Sequence, residues 1–203
     1  MNSPKIIAKY ISCLSDLEEE IAVLYSSLSD KAEAPIIKSL LLSISKDSSK
    51  HSVLLKGVAS SISDSKEKLG NCEKNLGEVW RIVSSYHKEI KMKGNGKLSF
   101  IDLLPKLNTL ESSIGEEYYM FVQMKTLQLM VKEINQLYNI DLESVKKVFE
   151  SIIKDEEHHR EILVTIKDII NDASKKLDST PKVRYQNPDS WINSLPPTTY
   201  DST

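Results

Sequence analysis

Residues 155–163 read Asp155-Glu156-Glu157-His158-His159-Arg160-Glu161-Ile162-Leu163. Glu156 and His159 stand three apart, so a helix places them on one face. They also sit in the middle of an apolar stripe: Val145, Phe149, Ile152, Glu156, His159, Leu163, Ile166, Ile170. The stripe keeps a spacing of three or four, the mark of a helix with one inward face. Three other segments repeat the pattern. The first gives Ile7, Ile11, Leu14, Glu18, Ile21, Tyr25, Leu28, and the second Ile37, Leu41, Ile44, Ser48, His51, Leu55, Val58, Ile62. The third gives Leu104, Leu107, Glu111, Ile114, Tyr118, Phe121. Each stripe is apolar except at its centre, where it carries Glu, Ser and His, Glu, or Glu and His.

The punctuation bounds these helices. Ser3-Pro4 supplies an N-cap and an N1 proline for a helix to about residue 30. Pro35 opens a second, which runs to Leu69 and ends at Gly70-Asn71. A shorter helix is expected over 73–93, stopped by Gly94-Asn95-Gly96. Ser99 to Asp102 has the form of a capping box for a third long helix to about Tyr138, with Pro105 placed to kink its first turns. Asp141 caps a fourth to about Leu177. The expected fold is all-α: a four-helix bundle over 1–177, with a long crossover at 70–98 holding a short helix. Residues 178–203, rich in proline, read as an extended tail.

Composition narrows the partners. Lys and Arg number 27 against 29 Asp and Glu, a net charge of −2 that offers no basic footprint for nucleic acid. No apolar run reaches the roughly 18 residues of a membrane span, and the N-terminus carries no signal-peptide pattern. Cys13 and Cys72 lie far apart in sequence, which excludes a disulfide scaffold, a Cys-x-x-Cys redox pair and a rubredoxin-type iron site. A reducing cytoplasm is the expected setting.

Burying the stripe centres is expensive. An unpaired buried carboxylate costs on the order of several kcal/mol, and three converging on one core also repel one another. No Lys or Arg interrupts the stripes to offset them. A bound cation resolves the conflict. Carboxylates with imidazoles and no thiolate suit iron or manganese, and zinc is also accommodated.

The chain is also internally duplicated. Glu18-x-x-Ile21-x-x-x-Tyr25 matches Glu111-x-x-Ile114-x-x-x-Tyr118, and Ile44, Asp47, Ser48, His51, Leu55 match Ile152, Asp155, Glu156, His159, Leu163 at identical spacing. A pseudo-two-fold repeat meeting at its own axis is a natural way to build a two-metal site.

These motifs resemble the ferritin-like superfamily, most closely the rubrerythrin-like di-iron carboxylate proteins, over roughly residues 4–177. The resemblance implies Glu18, His51, Glu111, Glu156 and His159 as metal ligands. It implies Asp47 and Asp155 as partners of the ligand histidines, which agrees with the need to fix an imidazole tautomer. It further implies one or two irons, redox chemistry on peroxide or dioxygen of peroxidase, oxidase or ferroxidase type, and a homodimer. The absence of rubredoxin-type cysteines calls for a separate electron donor or for ferrous iron itself. No catalytic residue is assigned.

One position departs from the family pattern: Ser48 stands where a fourth Glu is usual. Water or the Ser48 hydroxyl fills the gap, or the metal nearer His51 is weakly held, or one metal binds alone. The competing view is a helical scaffold or interaction protein whose metal site has decayed. Other polar residues have plainer readings. His158, Glu116, Glu117 and Glu157 read as exposed, and His87 as structural or exposed. Tyr25 and Tyr118 read as core aromatics bonded near the site, ahead of any redox role.

Ser48→Glu tests the departure. With ferrous iron under anaerobic conditions it should raise the melting temperature, because a ligand bound only by the folded state stabilises it. Without metal it should lower it, since a fourth buried carboxylate faces three others. The same shift with and without iron would show that position 48 does not face a metal.

Overall fold

The computed structural model describes residues 3–62, 71–92, 100–123 and 142–179. Among the described residues every regular element is a helix. They are α1 (Ser3–Lys31), α2 (Pro35–Ile62), α3 (Cys72–Leu76), α4 (Glu78–Met92), α5 (Phe100–Gln123) and α6 (Leu142–Ser179). The chain divides into two compact units, Met1–Ile169 and Ile170–Thr203. The end of α2 beyond Ile62, the Gly94-Asn95-Gly96 turn, Ser99, the 124–141 segment with its Asp141 cap, and the tail from 180 onward lie outside the described residues.

The four stripes are the buried faces of α1, α2, α5 and α6. Every stripe residue of α1 and α2 is buried, as is every described one of α5. In α6 only the ends, Val145 and Ile170, are half-buried. Tyr25, Tyr118 and Phe149 are the bulkiest fully buried side chains. The α1–α2 contact is lined by small residues. The Ser15 hydroxyl donates to the Ser52 carbonyl at 2.9 Å, and the Ser45 hydroxyl to that of Ala22 at 2.8 Å. Short side chains let these backbones approach, and each buried hydroxyl finds an acceptor. Helix α5 continues through Pro105, whose carbonyl accepts from the Thr109 hydroxyl at 3.0 Å.

The segment between the second and third long helices differs from expectation. It holds two helices, α3 and α4, in place of one. Gly77 separates them with a φ of +57°, in the left-handed region that glycine tolerates, and its N–H caps α3 on the Glu73 carbonyl at 2.8 Å. Asn71 is the N-cap of α3.

The second difference is Cys13 and Cys72. They are 59 residues apart in sequence yet disulfide-bonded, with Cα atoms 5.3 Å apart. Cys13 lies on the buried face of α1, and Asn71 turns the chain so that Cys72 opens α3 against it. The bond therefore ties the connecting segment to a bundle helix. It removes the ground for expecting a reducing cytoplasm, since structural disulfides persist mainly in oxidising surroundings.

A crosslink over this length should matter. The closed loop of 59 residues restricts the unfolded chain by about 4 kcal/mol in the chain-entropy account, within a range of about 0–5. Urea unfolding with and without a thiol reductant should show a lower midpoint on reduction, by about 2–4 kcal/mol of stability. Identical midpoints, with thiol titration confirming reduction, would show that the bridge adds nothing.

Candidate metal centre

Each long helix delivers its stripe centre to the same interior. Glu18 comes from α1, His51 from α2, Glu111 from α5, and Glu156 with His159 from α6. The two imidazoles have no exposed surface, and Glu18, Glu111 and Glu156 are 1%, 1% and 3% exposed. They form two overlapping groups. Ligand-type atoms of Glu18, His51 and Glu156 lie within 4.8 Å of one another, and so do those of Glu111, Glu156 and His159. Glu156 belongs to both.

The contacts repeat about the pseudo-two-fold relation seen in the sequence. His51 Nδ1 lies 3.3 Å from Glu156 and 3.6 Å from Glu18. His159 Nδ1 lies 3.1 Å from Glu111 and 3.5 Å from Glu156. The far ring nitrogens turn outward to the aspartates of the opposite repeat. His51 Nε2 sits 2.9 Å from Asp155, and His159 Nε2 3.7 Å from Asp47. The tyrosines cross in the same way. The Tyr25 hydroxyl donates to Glu111 and the Tyr118 hydroxyl to Glu18, both between α1 and α5. All nine side chains singled out for the site therefore converge there or flank it. Ser48 is also buried, at 1% exposure, on the inward face of α2.

Two features, at Lys50 and at Glu117, were not legible beforehand, while His87 is structural as expected. Lys50 Nζ bonds Asp47 and Asp155, each at 2.9 Å, joining the aspartates behind the two imidazoles. Its signal was its position three residues after Asp47 and next to His51, but its reach to α6 needed the fold. Glu117, expected to be exposed, is half-buried and accepts from the Tyr10 hydroxyl of α1. His87 is 14% exposed at its side chain, with Nε2 2.8 Å from the Glu20 carbonyl. His158 is exposed, as expected.

The protonation pattern follows from crowding. Burial alone lowers His51 and His159, but Glu156 and Glu18 lift the first to about 10, and Glu111 and Glu156 lift the second to about 11. Burial and the charge of Glu18 raise Glu156 to about 8, against the pull of both imidazoles. Burial pushes Glu111 up, yet its bonds to His159 outweigh that and hold it below the usual range. Burial and the adjoining carboxylates raise both tyrosines well above 10, so each hydroxyl stays a donor.

The donor set fits a cation. Glu18 Oε2, His51 Nδ1, Glu156 Oε1 and His159 Nε2 are buried without a hydrogen-bond partner among the described residues. Orphaned buried polar atoms are rare and costly. Three of the four belong to the faces where carboxylates and imidazole Nδ1 atoms meet, so a cation there would satisfy them together. The described structure thus presents buried Glu and His groups suited to a metal ion, within an all-α bundle. Comparison of the chain with protein-family models, curated proteins and solved structures finds no match.

The proton load predicts a pH dependence. Glu156, His51 and His159 all hold protons more tightly in the folded chain than their ordinary values of 4.5 and 6.5. The folded state then binds more protons than the unfolded one, and stability falls as pH rises from about 5 towards about 10. Glu111 acts oppositely, losing stability only as pH falls through the acid range. The metal-free melting temperature should decline between about pH 5 and about pH 9. Metal must displace these protons, so metal affinity should rise over the same span. A flat metal-free profile would contradict the assignment.

Proposed function

We propose that the protein is an iron-binding, di-iron carboxylate type protein with redox chemistry on peroxide or dioxygen. The observation that carries this reading is Glu156. It is shared by two ligand groups whose other members are His159 of its own helix and one residue from each of the three remaining long helices. Uncompensated, such a cluster of buried carboxylates destabilises its own fold, and apolar replacements would pack better. Five ligand-type residues, with an aspartate beside each imidazole and both Tyr–Glu bonds, point to use.

Imidazole and carboxylate donors without thiolate favour iron, with manganese or zinc also suited. Iron, when bound, would supply the exchange of electrons with a small oxidant. The chain supplies the rest. Glu18 and His51 would hold one metal and Glu111 and His159 the other, with Glu156 between. Asp155 and Asp47 fix the rings so that Nδ1 faces inward. Tyr25 and Tyr118 orient Glu111 and Glu18 through donated hydrogen bonds. The Tyr–Glu lattice and the apolar stripes keep bulk water out. Electrons would come from a separate donor or from ferrous iron, and a homodimer remains part of the proposal by family resemblance.

Ser48 supports an unequal pair of positions. Each group has one imidazole and two carboxyl groups, with Glu156 shared; they differ in that His159 has Glu156 three residues before it on its own helix, where His51 has Ser48. The alternative reading, a scaffold with a decayed site, also rests on Ser48, and metal content separates the two. Elemental analysis after anaerobic loading with ferrous iron should find iron in the wild type. Glu156→Ala should remove nearly all of it and His51→Ala only part, because Glu156 belongs to both groups and His51 to one. Equal losses from the two variants would refute the unequal pair, and no iron in the wild type would favour the scaffold.

A further inference from the structure

A cavity of about 220 Å³ lies between α5 and α6, lined among others by Glu111, Gly115, Glu116, Glu156, Glu157 and Arg160. Its lining grades from buried to exposed. Glu111 and Glu156 of the candidate metal centre lie at the buried end, Arg160 is half-buried, and Glu116 and Glu157 are exposed. At ~30 Å³ per water, the space holds roughly seven waters, enough for a hydrated divalent ion.

Two features make this more than an acidic patch. First, Glu156 belongs to the cavity lining and to the metal centre at once: its unpartnered Oε1 lies 3.3 Å from His51 Nδ1, so the cavity reaches the side chain that both ligand groups share. Second, Gly115 occupies the middle of α5, where glycine costs roughly 0.5–1 kcal/mol relative to alanine. Its φ is not left-handed, so no backbone need explains it. A Cβ there would come 3.6 Å from the Glu156 Cβ, an ordinary contact, so an alanine would fit but would take up part of the cavity floor.

Charge selects the passenger. Two of the four lining carboxyl groups are already bonded: Glu111 to the His159 imidazole at 3.1 Å, and Glu157 through both oxygens to Arg160 at 2.7 Å. Arg160 also donates to the Ser112 hydroxyl of α5 at 3.2 Å. Glu116 carries its charge exposed at the mouth, where it attracts cations. Glu116 at the rim and Glu111 and Glu156 at the floor form a stepwise path of carboxylates, while Arg160 bridges α5 and α6 beside it.

We propose that the cavity between α5 and α6 is the entry route for divalent metal, with Glu116 drawing the ion in, Gly115 keeping the floor open and Arg160 restraining passage. This rests on the metal-binding reading above. It adds a rate to it, carried by residues outside the ligand set.

Stopped-flow loading of the metal-free protein with cobalt(II), followed by visible absorbance, reads the rate without any activity. Gly115→Ala and Glu116→Gln should each load more slowly than wild type, by roughly 3- to 10-fold, and reach the same final cobalt per chain. The Glu116→Gln defect should shrink as salt rises, because screening removes the attraction it lost. Arg160→Ala should load faster. Helical circular dichroism checks that each variant folds, and Glu116→Gln changes only an exposed side chain. Wild-type rates in both Gly115→Ala and Glu116→Gln would overturn the route. A slower Arg160→Ala would overturn its restraining role and the preference for cations. If wild type shows no cobalt signal at all, the metal reading itself fails, a result distinct from unchanged rates.

Discussion

Three carboxyl groups and two imidazoles share one buried interior, and the bundle is organised around keeping them there. Each charge alone would be costly to bury, and like charges at such separations cannot all remain ionised. In the metal-free chain protons provide the balance: Glu156 and both histidines hold theirs, facing Glu18 and Glu111. A divalent metal would replace protons in that role. The same geometry thus accounts for the raised values and the orphaned atoms, and suits the cluster to a cation.

The constraint explains the second ring of contacts. An imidazole that presents Nδ1 inward needs an acceptor on Nε2: His51 finds Asp155 of the other repeat at 2.9 Å, and His159 has Asp47 of the other repeat nearby at 3.7 Å. Those aspartates are about one-third exposed and share Lys50, which offsets their charge at the protein surface. The tyrosines serve the carboxylates in the same crossed manner. Every such bond links one half of the duplicated chain to the other, so the centre also holds the halves in register.

Much of this was legible because helical periodicity is a strong signal when a polar residue interrupts it. Glu18, Glu111, Glu156 and His159 stood out as buried because their stripe neighbours were apolar, and their burial follows that pattern. The aspartates and tyrosines came from the internal repeat. What sequence could not supply was proximity between distant segments. Lys50 sits beside a stripe, and only the packing of α2 against α6 brings it to Asp155. Cys13 and Cys72 looked unrelated because sequence does not show that α3 packs against α1, and Gly77, with its left-handed φ, separates two helices where one was expected. Tyr10 and Glu117 join for the same reason, across α1 and α5. Ser48 was legible as a departure, and its burial places a small hydroxyl where a symmetric site would carry a carboxylate.

The central claim is that the Glu18–His51–Glu156 and Glu111–Glu156–His159 groups hold metal. Crystals grown from protein loaded anaerobically with ferrous iron, measured on both sides of the iron absorption edge, test it directly. The account predicts anomalous density beside Glu156, stronger towards Glu111 and His159 than towards Glu18 and His51. Well-ordered crystals with no anomalous peak among these five side chains would contradict it.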